Sequence, residues 1–205
     1  MLRLGAIGFG LRTQTVLKAI YSLGRKAEIV AITDPRKNEI YEQLKEQGED
    51  VDHIRFFIDP DEMLDRGDLD GVLVGTRCSL HTTMALKVLA RDIPLFLEKP
   101  VATNMDDLLT LSNMDLNDKP VVVSFPLRLT PLVKLAKEIL VSGKIGTVEH
   151  VQAYNNVPYG GVYYHDWYRD ERETGGLFLQ KATHDLDYIN YLLGIKPVWI
   201  CAMKS

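Results

Sequence analysis

Leu2-Arg3-Leu4-Gly5-Ala6-Ile7-Gly8-Phe9-Gly10-Leu11-Arg12-Thr13 opens the chain, and its reading decides the fold. Leu2–Ile7 is a largely apolar run, the mark of a strand buried on both faces of a parallel sheet. Gly8 and Gly10 follow directly. A first glycine there permits a tight turn, and a second lets the backbone approach a pyrophosphate. The free amides and positive dipole end of the following helix attract that pyrophosphate. The third glycine of the G-x-G-x-x-G fingerprint is Thr13, which predicts a helix set slightly further from the strand. Alone, so degenerate a turn fits an ordinary strand-to-helix junction equally well.

Asp34 shifts the balance. It follows a second apolar run, Glu28–Thr33, and lies 21 residues after Thr13. A carboxylate there accepts ribose hydroxyls and repels a 2′-phosphate, which favours NAD. Arg36 leaves NADP open, because a guanidinium binds that phosphate. The plain alternative for Asp34 is a helix N-cap before Pro35. Gly8, Phe9, Gly10, Leu11, Arg12, Asp34 and Arg36 are therefore the expected cofactor contacts of the first βαβ unit.

Outward from this unit the rhythm repeats. Further strands are predicted at Arg55–Ile58, Gly71–Gly75, Pro94–Glu98 and Val121–Ser124. Helical spacing links Val16, Leu17, Ile20 and Tyr21, and again Leu80, Met84 and Val88. Alternating strands and helices imply right-handed crossovers and a doubly wound α/β sheet over residues 1–125. The pattern then changes. Residues 126–205 read as the first part of an α+β domain: a helix at Pro131–Val141 before Gly143, a strand at Ile145–Tyr154, an aromatic loop, a helix at Leu177–Leu193 before Gly194, and a strand at Val198–Met203. Two strands make a poor sheet, so this unit is expected to be a fragment or to be completed by another chain.

Composition sets the outer bounds. The 205 residues carry 24 Lys+Arg against 28 Asp+Glu, a net charge of −4. That balance argues against a broad nucleic-acid footprint. Cys78 and Cys201 show no metal spacing, so no metal site is expected, and two cysteines suit a reducing, cytoplasmic location. No apolar run is long enough for a membrane span.

Later strand tips carry the remaining chemistry, since ligands on open parallel sheets lie beyond the strands' carboxyl ends. Thr76 to His81 leaves the fourth strand, and Glu98-Lys99-Pro100 ends the fifth. Glu98 and Lys99 point to opposite faces. A lysine held there trades protons near neutral pH if its pKa is depressed. The Lys99–Pro100 bond is trans by base rate, with cis open. Taken singly, Glu98–Lys99 reads equally as a surface ion-pair element, and His81 as a polar residue in a helix's first turn. On the last helix, Gln180, His184, Asp187 and Tyr191 share one side, opposite Phe178, Ala182, Ile189 and Leu193. By spacing alone this is a solvated face. By chemistry it is an imidazole with a carboxylate at i+3. Between them lie Tyr154, Tyr159, Tyr163, Tyr164, Trp167 and Tyr168, rings suited to stacking on a sugar or to packing a long loop. His165 and Asp166 stand beside them for hydroxyls.

Together these pieces resemble the glucose–fructose oxidoreductase/inositol dehydrogenase (Gfo/Idh/MocA) family. The match comprises Gly8-Phe9-Gly10, Asp34, Thr76…His81 and Glu98-Lys99-Pro100. It continues through Arg128 with Pro131, Gly143-Lys144-Ile145-Gly146, Gly175-Gly176, Thr183-His184-Asp185-Leu186-Asp187 and Leu192-Leu193-Gly194. The resemblance implies a Rossmann domain holding NAD(P), with Thr76, His81, Glu98 and Lys99 among its contacts. It also implies a C-terminal domain, here C-terminally truncated, whose open sheet supports homo-oligomers. It implies Lys99 and His184 as catalytic residues, and Arg128, Trp167, Lys181 and Asp187 facing substrate. The family aspartate four residues before the histidine is Gln180 here, and Arg77-Cys78 replace the usual Pro-Asn. The expected activity is hydride transfer between the nicotinamide and a sugar, cyclitol or related polyol. Two rivals remain: NAD-dependent glycoside cleavage by transient oxidation, and a non-catalytic cofactor-sensing module.

Overall fold

A computed structural model describes residues 1–114, 116, 119–156 and 160–203. The strands are β1 (Leu2–Ile7), β2 (Ala27–Thr33), β3 (Arg55–Phe57), β4 (Gly71–Val74), β5 (Leu95–Leu97) and β6 (Val121–Val123). They form one all-parallel sheet in the order β3-β2-β1-β4-β5-β6. Helices α1 (Leu11–Ser22), α2 (Lys37–Glu46), α3 (Pro60–Arg66), α4 (His81–Leu89) and α5 (Met105–Ser112) alternate with the strands.

Period-two alternation splits the core into two layers. Val72 and Val74 pack with Met63 of α3 and Ala85, Val88 and Leu89 of α4. Leu73, between them, joins Leu17 of α1 and Ile40 and Leu44 of α2. All four residues of β4 are buried, which is why no polar residue interrupts that strand. Strand order reverses between β1 and β4, so a crevice opens above their carboxyl ends.

The second unit contains α6 (Pro131–Val141), α7 (Val162–His165), α8 (Glu171–Thr174) and α9 (Leu177–Leu193). Gly143 and Gly194 follow α6 and α9 with φ +69° and +68°, the left-handed conformation that ends a helix. Lys137 of α6 donates to the carbonyls of Tyr191 and Leu192 at 2.7 and 2.9 Å, tying α6 to the negative end of α9.

Two expected strands do not form. Residues 147–156 and 195–203 contain no strand, and Val198, Trp199, Ile200 and Met203 are exposed. An isolated extended segment leaves its backbone donors and acceptors unpaired. The β pattern in these stretches lacks the neighbouring strands that would satisfy it.

Candidate active site

The turn after β1 is built by mutual fit. The Gly8 amide donates to the Thr33 carbonyl at 2.8 Å. Gly8 has φ +82°, and a Cβ there would lie 2.7 Å from the Gly75 carbonyl oxygen. Thr13 does not set the helix off from the strand as its size predicted. Its hydroxyl donates to the Gly8 carbonyl at 2.8 Å, and the residue is 3% exposed. Gly75 supplies the room, because a Cβ there would meet Thr13 Oγ1 at 2.3 Å. The close contact that the fingerprint assigns to its third glycine is thus made across the sheet.

Gly10 faces open space, with nothing within 4 Å of where its Cβ would be. It begins α1 with no side-chain cap and no acidic residue in the first turn. The amides of Leu11 and Arg12 therefore face an open, electropositive cradle that suits a pyrophosphate. Asp34 accepts the Phe9 amide at 2.9 Å, the Arg36 amide at 2.9 Å and the Arg36 guanidinium at 3.3 Å. Burial would raise its pKa, but these hydrogen bonds and the Arg36 charge outweigh it and hold the carboxyl below its usual range. Asp34 thus ties the glycine turn to the end of β2. It is not the N-cap of α2, a position that Arg36 occupies.

Arg12, Glu98 and His81 depart from their expected roles. Arg12 Nε donates to Glu98 at 2.8 Å and its guanidinium to Ser124 at 3.1 Å. The pair neutralises itself across the carboxyl edge of the sheet. His81 is 2% exposed, with Nδ1 2.6 Å from the Pro100 carbonyl and Nε2 3.3 Å from that of Thr76. A neutral ring donates to only one of these carbonyls, the nearer being that of Pro100, and buried against both it offers a cofactor no atom. It braces the loop after β4 against the loop after β5 instead, and burial pushes its pKa down. The Lys99–Pro100 bond in that second loop is cis, against the base rate.

Lys99 turns the other way from Glu98. Its ammonium donates to the Gln180 carbonyl at 2.8 Å and to Gln180 Oε1 at 3.2 Å. The Gln180 amide in turn lies 2.8 Å from Cys78 Sγ. Gln180 is 4% exposed, so this side of α9 is packed against the first domain, and on the opposite side Phe178 is 74% exposed. The apolar stripe of α9 is not the buried one at this end, because the lysine and the thiol behind Gln180 require polar partners. Gly175 and Gly176, with φ +70° and +91°, swing α9 into place. A Cβ on Gly175 would lie 3.1 Å from the Thr103 carbonyl.

Burial lowers the pKa of Lys99, and the Lys181 charge lowers it further. Burial also lowers that of His184, with the Lys99 charge adding to the effect. The Lys99 charge therefore reaches His184. The His184 ring meets Phe125 edge-on at 5.9 Å, and its Nδ1 is buried without a partner. Asp187 does not orient His184. Its carboxylate takes the Arg128 guanidinium, with Nε at 2.8 Å, which pins α9 to the 126–129 turn. Lys181 bonds the Tyr163 hydroxyl. Trp167 is already engaged, with the Arg77 guanidinium 4.0 Å from its ring and Tyr168 at 4.0 Å. Thr76 Oγ1 donates to the Arg77 carbonyl at 3.0 Å. His165 is exposed and Asp166 caps Trp167, while Tyr159 lies outside the described residues. Sequence reasoning passed over Cys78 and Arg77 as contributors. Their only signal was their place directly after β4.

A doubly wound sheet with a glycine cradle, an acid closing β2 and a lysine at the tip of β5 defines a dinucleotide-binding domain. Residues 2–125 match the oxidoreductase family with NAD-binding Rossmann fold, Gfo/Idh/MocA, and residues 133–205 match the GFO/IDH/MocA C-terminal domain. The chain belongs to this family, and its cofactor is NAD. It is 31% identical to YteT of Bacillus subtilis over 67% of this chain and 33% of that protein. It is 26% identical to the scyllo-inositol 2-dehydrogenase (NAD(+)) of the same organism over 82% of this chain and 47% of that protein. Scyllo-inositol dehydrogenase from Lactobacillus casei, solved with NAD(H) and scyllo-inositol, shares the fold with a TM-score of 0.79. It is 23% identical, and the match covers 95% of this chain and 56% of that one. The chain thus spans a third to little more than half of the length of these relatives. Among the described residues no helix is long and apolar enough to cross a membrane, and no group of three or more His, Cys, Asp or Glu is placed to hold a metal.

Proposed function

We propose that this chain forms the cofactor and acid–base half of an NAD-dependent oxidoreductase acting on a sugar, cyclitol or related polyol. Bound in the crevice, the nicotinamide supplies the hydride acceptor or donor. The protein's own share is placement and proton handling. The uncapped start of α1 holds the pyrophosphate against Gly10, and Asp34 faces the adenosine ribose. Lys99, held by Gln180, meets the substrate hydroxyl. With its pKa lowered, Lys99 gives up a proton nearer neutrality than an ordinary lysine does, and His184, also lowered, is neutral at pH 7 and free to accept one. Arg128, Asp187 and His81 position these groups.

The observation that carries the reading is Lys99 at the tip of β5 with its ammonium held on Gln180, four residues before His184 on α9. The inositol substrates of the relatives and the NAD-bound neighbours support it. Residues 1–125 and 126–205 act as cofactor and substrate units, and the chain works in the cytoplasm as a homo-oligomer joined through its second unit. The test is Lys99→Ala and His184→Ala in the full-length protein. Turnover falls by at least about 100-fold in each, while NAD affinity holds. Undiminished turnover in both variants refutes the mechanism. Accumulation of NADH in step with product separates it from glycoside cleavage by transient oxidation, where no net reduction builds up.

A further inference from the structure

We infer that the site receives a sugar bearing an anionic group, a carboxylate or a phosphate, between Arg77 and Lys181. This rests on the function proposed above and specifies its substrate class. Arg77 lies against an aromatic face and Lys181 against a phenol: the guanidinium carbon is 4.0 Å from the Trp167 ring, and the Lys181 ammonium bonds the Tyr163 hydroxyl. A ring face or a neutral hydroxyl fixes a cation in place but brings no negative charge to neutralise it. Tyr168 joins the two ends, with its ring 4.0 Å from Trp167 and 5.7 Å from Tyr163.

The carboxylates around this wall are already engaged. Glu98 takes Arg12 at 2.8 Å, Glu173 takes the Ser79 hydroxyl at 2.5 Å, and Asp170 takes Arg172 at 2.7 Å. Asp187 takes Arg128, Asp185 takes the Asn155 amide, and Asp166 caps the Trp167 amide. Among the described residues neither Arg77 nor Lys181 has a carboxylate within ion-pair distance. Lys99, the third cation here, is met by an amide, and the Lys181 charge reaches it. Three positive groups thus share one wall, and among the described residues no carboxylate is paired with any of them, although the Glu98 charge reaches Lys99. A neutral polyol that displaced water from this wall would leave them desolvated and unpaired, which is costly. An anion on the substrate relieves that cost and fixes which end of the sugar faces the nicotinamide.

The experiment uses the full-length protein saturated with NAD, with NAD binding measured first and separately. Calorimetry then compares glucuronate and glucose 6-phosphate with glucose and myo-inositol, on the parent and on Arg77→Gln and Lys181→Met. An anionic sugar is expected to bind at least about tenfold tighter than neutral glucose. That ratio is expected to collapse toward one in both variants. The stronger of the two anionic ligands identifies the group as carboxylate or phosphate. Neutral sugars binding as tightly as charged ones, an unchanged ratio in the variants, or no binding by any of the four while NAD binds each overturn the inference and leave the NAD site standing. A parent protein that does not bind NAD overturns the proposed function itself, and this inference with it.

Discussion

Alanine at position 75 should cost far more in the parent than in a protein that already lacks the Thr13 hydroxyl. A Cβ on Gly75 meets Thr13 Oγ1 at 2.3 Å, but the next Thr13 atom, its Cβ, lies at an ordinary 3.7 Å. Thr13 is 3% exposed and its hydroxyl is bonded to the Gly8 carbonyl, so it has nowhere to retreat. Gly75→Ala therefore breaks that hydrogen bond, worth about 1 kcal/mol, and adds overpacking of about 1–3 kcal/mol. Thr13→Ala alone loses the bond, about 1 kcal/mol, and a buried methyl group, about 1 kcal/mol more. In the double variant the new methyl occupies the space the hydroxyl left, so the total stays near that of Thr13→Ala, a coupling of about 3 kcal/mol. For a chain of this size each kcal/mol moves Tm by roughly 2–4 °C. Gly75→Ala should then melt on the order of 10 °C below the parent, and the double variant no further below than Thr13→Ala alone. Urea titrations of the four proteins measure the coupling. Additive losses would show that Thr13 is not the residue Gly75 accommodates, and the account of the missing third glycine would fall.

Two further outcomes follow from the same geometry. Gly10→Val should leave Tm within about 2 °C of the parent, since no atom lies within 4 Å of the added Cβ, yet weaken NAD binding by at least about tenfold. Gly8→Ala, with φ +82° and a backbone oxygen 2.7 Å from the new Cβ, should instead fail in stability before affinity is ever measured. Fluorescence titration and thermal melts separate the two variants. Stability should also fall with acidification below about pH 6.5. His81 and His184 have native pKa values below the usual 6.5. Between those values and 6.5 the unfolded chain binds more protons, and stability is lost as pH drops through that window. His81→Gln should flatten this acid limb, and a melting profile with equal slope in parent and variant would count against a neutral buried His81.

The first domain and the two long helices of the second unit were legible because their signals are local. Leu2–Ile7 and the helix bounds Pro131–Val141 and Leu177–Leu193 were placed correctly from apolar spacing and flanking glycines. The cradle followed from two glycines and an acid at set separations. The same patterning read strands at 145–154 and 198–203, where none forms, because strand propensity is realised only through a neighbour's backbone. Family likeness named Lys99 and His184, but not what surrounds them.

The sequence by itself determined the parallel sheet, the glycine cradle and the family, because these depend on residue type and spacing along the chain. Only the tertiary structure decided that Arg12 is consumed by Glu98, that His81 is a brace, that Gln180 holds Lys99 and that Gly75 makes room for Thr13. Three of these join residues 62 to 86 positions apart, and the His81 brace reaches Pro100, 19 positions away in another loop. Partner choice at such range is settled by burial and close packing, which linear order does not encode.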